Sequence, residues 1–217
     1  MKTNFILLTL TVCCFAATSC QKEIEDVVGS NPRNTIPVLG GGTTTNAGDI
    51  TGTWKFLNLN AKTLVSVDVS GSSVNLKTLT TSEYTTENNV GIVVISAQNI
   101  AYNNISYDIN SRAYVKLYSS GILLDTLSTG FNLSVPPISY NAAYIRVNTD
   151  SLYFNGGNAF MYNGASQVAP PGGMKLKREQ DKLYLIQSFN ETKTITEQGQ
   201  TATTIQQATV TVALQKQ

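Results

Sequence analysis

From residue 49 onward the chain offers no convincing amphipathic helix. It alternates instead. In residues 112–118, Ala113, Val115 and Leu117 share one side, and Tyr114, Lys116 and Tyr118 share the other. A period of two is the signature of a half-buried strand. The alternating runs stop at clusters of turn-forming residues: Ser70-Gly71-Ser72-Ser73, Ser119-Ser120-Gly121, Asn148-Thr149-Asp150-Ser151, Glu179-Gln180-Asp181 and Gly199. Strands are expected over 53–59 and 63–69, 74–81, 92–95, 112–118, 122–127, 143–147, 152–154, 174–178, 183–196 and 208–214. Pro170-Pro171-Gly172-Gly173 breaks the chain before the run at 174. About ten strands joined by successive hairpins predict an antiparallel, all-β domain over 49–217. So long a sheet has to close into a barrel or stack into a sandwich to protect its edges. No repeat at a fixed period points to a solenoid or propeller.

Composition narrows the chemistry. The 217 residues include no histidine, which removes the commonest general base and excludes a Ser-His-Asp triad. Formal net charge is +1, so no strong field draws nucleic acid. Single aspartates at 49, 68, 108, 125 and 150 do not make a calcium loop. Glu179 and Asp181 are close in sequence, but they sit on a charged turn rather than across a cleft. A non-enzymatic protein is expected, with no cofactor and no metal. The ten tyrosines suit either ordinary strand filling or a contact surface. The stretch from Asn155 to Gly173, carrying Phe160 and Tyr162, is long for a hairpin connection and is the expected mouth of a ligand site.

The N-terminus has a different grammar. Lys2 precedes an apolar run from Phe5 to Ala17, and small residues lead to Cys20. A charged start, a short apolar stretch and a small-residue cut site describe a secretory signal over 1–19. Ala17-Thr18-Ser19-Cys20 resembles a bacterial lipobox, with alanine where leucine is commoner. That resemblance implies diacylglycerol on Cys20 and cleavage just before it. Cys13 and Cys14 would then leave with the leader, and the mature chain would hold no free thiol. Two or more acyl chains hold a protein on a membrane durably. Lys22, Glu23, Glu25 and Asp26 follow at once and resemble the surface-export signal of some Gram-negative lipoproteins. Cell-surface display and the periplasmic face of the outer membrane both remain open. Residues 20–48, with Gly40-Gly41-Gly42 and Thr43-Thr44-Thr45, read as a flexible tether.

Gly52-Thr53-Trp54 opens the domain and carries the single tryptophan. Gly-X-Trp at this place resembles the lipocalins and lipocalin-like lipoproteins, as do Lys55-Phe56-Leu57 and the final Val212 to Lys216. The resemblance covers the two ends of the domain and not its middle. It implies an eight-stranded barrel whose closed end is plugged by Trp54, and a cavity for a small hydrophobic or amphipathic ligand. The family often sets an arginine from a late strand against the tryptophan. The last strand here has none, which leaves Arg178 and Arg146 to take that place. A lipoprotein with a filled interior, contacting protein or glycan at its surface, is the other reading. No oligomeric state follows from the sequence.

Overall fold

The computed structural model describes residues 48–71, 75–155, 172–197 and 199–217. Cys20, Lys22, Glu23, Glu25 and Asp26 lie outside the described residues, as do Phe160 and Tyr162. The described chain is all-β and antiparallel: β1 (Gly52–Ser70), β2 (Asn75–Thr85), β3 (Glu87–Ile95), β4 (Asn99–Ser119), β5 (Ile122–Ala143), β6 (Ile145–Asn148), β7 (Ser151–Phe154), β8 (Gly172–Glu179), β9 (Lys182–Glu197) and β10 (Gln200–Lys216). The turns stand where the sequence places them. Ser120 and Gly121 take φ of 50° and 81°, the mirror-image turn that suits a two-residue hairpin loop. Gly172 and Gly173, expected as a break, already belong to β8.

Several strands outrun their expected limits. β4 begins at Asn99 and β5 runs to Ala143. β2 and β3 are two halves of one run, bent at Thr86. Thr86 is buried and ties itself to β1: Leu59 N donates to its Oγ1 at 2.9 Å, and its own N donates to the Leu59 carbonyl at 2.9 Å. The bent run lies between β1 and β4 and pairs with both. On the other side of β1 follow β10, β9, β8, β7 and β6. β5 pairs with β4, β6 pairs with β7, and the chain passes from β5 to β6 through Tyr144. Among the described residues the two ends of the strand order are thus joined by a covalent bend rather than a ladder. A closed barrel and a two-sheet sandwich both accommodate this path.

The core gathers at the Trp54 end. Trp54, Phe56, Ile100, Tyr102, Leu152, Phe154, Leu183, Leu185 and Leu214 are almost fully buried there. Beyond Ala61 the short strands β6, β7 and β8 drop out. Only β5, β4, β2, β1, β10 and β9 continue, side by side, toward their hairpin tips. Residues there are half-buried or exposed, with Ser66 the exception along β1.

Candidate binding site

Two regions could carry function, the plugged end and the open face of the six-stranded extension. At the plugged end Trp54 is fully buried, and its Nε1 donates to the Ile50 carbonyl at 3.0 Å. Two cations cover its ring: Lys216 Nζ lies 4.7 Å from the centroid and the Arg178 guanidinium 5.9 Å. Such contacts favour a cation over an aromatic face by about 0.5–1 kcal/mol each at exposed sites. Both cations also hold the entering chain. Lys216 Nζ donates to the Thr51 carbonyl at 2.6 Å and Arg178 Nη1 to the Asp49 carbonyl at 2.7 Å. Arg146 does related work away from the ring, donating to the Gly48 and Thr149 carbonyls at 2.7 Å each. Gly52 has a physical reason to be glycine. Its φ is +124°, and a Cβ would meet the Lys216 ammonium.

Asp49 closes the same end from below. Its carboxylate accepts the Thr51 N–H at 2.9 Å and the Thr51 hydroxyl at 3.1 Å, and these bonds hold it below the ordinary aspartate range. This geometry anchors a chain terminus.

Side chains fill the interior above the tryptophan. Phe56 meets Tyr107 with ring centroids 6.1 Å apart, and Tyr102 stacks on Tyr140 at 4.3 Å. Tyr84 meets Phe131 edge-on at 6.1 Å. The Tyr140 hydroxyl is buried and makes no hydrogen bond of good geometry among the described residues, although the stacked Tyr102 brings its own phenol within reach. Burial first, and the neighbouring phenols Tyr102 and Tyr107 second, push the Tyr140 pKa far above the usual phenol value.

An open groove of about 620 Å³ lies elsewhere, on the sheet extension. Its position follows from strand parity. Ala61 faces the core, so Lys62 and Leu64 face away from it. Cross-strand register then sets their neighbours. Lys62 stands beside Glu83 and Thr209, and Thr209 beside Ser188. Leu64 stands between Thr81 and Gln207, with Tyr114 and Asn190 next outward. Lys62 Nζ and Glu83 Oε1 pair at 2.8 Å, both well exposed. Arg112 lines the same groove and makes no ion pair among the described residues. The Tyr114 ring is half exposed. The groove therefore offers a guanidinium, amides at 190 and 207, hydroxyls, and the rings of Tyr114 and Phe189. Alternation at 112–118 already set Tyr114 on the face opposite Ala113, Val115 and Leu117. Nothing in the sequence brought Lys62, Glu83, Asn190 and Gln207 to it.

The two carboxylates weighed from the sequence go separate ways. Glu179 pairs with Lys177 at 2.6 Å, and Asp181 accepts Gln215 Nε2 at 2.8 Å. Among the described residues no three acidic, cysteine or histidine side chains come together as a metal cluster.

No family model matches the chain, and no curated protein matches it. A solved structure with some likeness is the attachment invasion locus protein Ail of Yersinia pestis, at 7% identity. The match covers 75% of this chain and 99% of that one, with a TM-score of 0.16. A likeness that loose carries no argument about fold or role.

Proposed function

We propose that this chain is a non-enzymatic lipoprotein of the outer membrane that works as a surface-contact module, binding a glycan through the groove around Tyr114. The supporting observation is the groove itself. Its lining mixes an arginine without an ion pair among the described residues, two amides and hydroxyls with the exposed rings of Tyr114 and Phe189, while aromatic side chains pack in the interior. An open groove whose lining sets polar groups beside a larger apolar share suits a ligand that presents both hydroxyl groups and an apolar face, as a sugar ring does. Calorimetric titration with envelope and host-type oligosaccharides tests this. Binding is expected for the intact chain. Tyr114→Ala and Arg112→Ala should each weaken it about tenfold, the loss of one good contact, with little change in unfolding midpoint. No heat of binding across such a panel would end this reading.

The anchor is part of the same proposal. Cys20 bears the acyl chains, Lys22, Glu23, Glu25 and Asp26 direct the chain to the cell surface, and residues up to 48 hold the domain off the membrane. A lipocalin-like module with a small hydrophobic ligand is the second reading. What favours it is Trp54 at the start of the first strand, covered by Arg178 and Lys216 much as the lipocalin resemblance implies. One intact-mass measurement on membrane-extracted protein addresses anchor and ligand. A chain beginning at residue 20 with added fatty mass is expected. A co-purifying lipid under native conditions would shift the weight to the second reading. A start elsewhere, without added mass, would remove the anchor.

A further inference from the structure

We infer that copies of this chain associate head to tail, the β5 edge of one adding to the β9 edge of the next. The extension has two free margins. Over 122–131 β5 pairs only with β4, and over 187–197 β9 pairs only with β10, among the described residues. A long unpaired margin is a template for another strand, and natural sheets blunt such margins with charge. The β5 margin is poorly blunted. Ile122, Leu123, Leu124 and Leu127 are each half or more exposed, and Asp125 is the single charge from 122 to 131. The β9 margin carries exposed apolar groups of its own, Phe189 and Ile195, beside the charges of Glu191, Lys193 and Glu197.

Register decides which partner fits. Following cross-strand neighbours from one margin to the other, Asp125 lies in the row Leu117, Thr78, Val67, Thr204, Lys193. Ile122 lies in the row that ends at Ile195, and Thr126 in the row that ends at Thr192. Row partners share a face of the sheet. β5 descends from the hairpin tips while β9 climbs toward them, so two copies side by side in one orientation meet antiparallel. Without axial offset, Asp125 then faces Lys193 of the neighbour and Ile122 faces Ile195. Neither Asp125 nor Lys193 has an ion pair within its own chain among the described residues. One pair of opposite charges and one apolar pair thus coincide at the two margins, while Leu127 falls opposite Glu191. Such a contact is heterologous and does not close after two copies, so it propagates.

The test uses the full chain in cell membranes. Two tagged forms are co-expressed, one with Thr126→Cys and one with Thr192→Cys, and treated with a mild oxidant. Cross-strand neighbours lie within disulfide reach. A mixed-tag covalent dimer is expected, and a ladder of multimers when both substitutions sit in one chain. Asp125→Lys or Lys193→Asp alone should cut the cross-linked yield about tenfold by setting like charges opposite, and the double swap should restore it. Three results would overturn the inference: a link within one chain, a same-tag dimer through residue 126 alone, or no link at all. Failure of the double swap to restore the yield would do so too. None of these outcomes depends on whether the groove binds glycan.

Discussion

Single side chains show where the domain spends stability on order. Trp54 is held by a hydrogen bond, two cations and full burial, and it fixes where the first strand begins. Tyr140 is the opposite case. Its ring earns a stacking contact with Tyr102, but its hydroxyl is buried without a hydrogen bond of good geometry among the described residues. A buried hydroxyl that loses water and gains no bond costs about 1–3 kcal/mol. Tyr140→Phe keeps the ring and removes the cost. Its unfolding midpoint in urea should rise, by an amount equivalent to about 1 kcal/mol. A fall in that midpoint would show that the hydroxyl is satisfied in solution.

Among the elements, the long strands change phase where the sequence pattern breaks. In the first half of β1 the buried residues are Trp54 and Phe56, then Leu59 and Ala61, with a register shift between Phe56 and Asn58. In β4 they are Ile100 and Tyr102, then Ile105, Tyr107 and Ile109. Asn104 takes a φ of 52° at that joint, as a bulge residue can. In β5, Pro136-Pro137 falls where the register steps from Ile105↔Ile138 to Tyr107↔Val135. Proline is tolerated there because β5 is an edge strand and the register slips. A strict period of two loses count at each slip, which is why residues 99–111 and 128–142 did not read as strand. Gly91 serves the same end in β3. Its φ is +130°, and a Cβ would sit 2.9 Å from Ile105 Cα and 3.0 Å from the Asn104 carbonyl oxygen. Both are backbone atoms that cannot swing aside. Gly91→Ala should therefore destabilise by about 2 kcal/mol or more, read as a lower thermal midpoint, because strain and overlap act together.

For the whole molecule, the charge set predicts a broad plateau of stability against pH. The chain has no histidine, the side chain whose ordinary pKa lies near neutrality. Asp49, held by Thr51, lies below its ordinary range, and so do Asp108, bonded by Ser134 and Asn88, Glu179, paired with Lys177, and Asp181, bonded by Gln215. A lowered folded pKa means the unfolded chain takes up protons first as pH falls. Their contribution is present above about pH 4 and is lost below it. Tyr107, Tyr140 and Tyr144 are raised by burial, so the unfolded chain ionises first above about pH 10 and stability declines there. Thermal midpoints should stay level from about pH 5 to 9 and drop at both ends. A step near neutrality would point to a titrating group outside the described residues.

The amino-acid order by itself determined the strand-and-hairpin character of the domain, most of its turns, and the special place of Trp54. Those are local matters: side-chain branching, alternation, and the few residues that accept a positive φ. Only the tertiary structure decided that Lys216 and Arg178 would share the tryptophan, and that Lys62, Glu83, Arg112 and Asn190 would line one groove. It also decided that Asp125 and Lys193 would end one row. Cross-strand neighbours are far apart in sequence, and a one-residue slip turns a side chain to the other face. The bulges that set those slips take their meaning from the strand beside them, so register could be read only once the strands were paired.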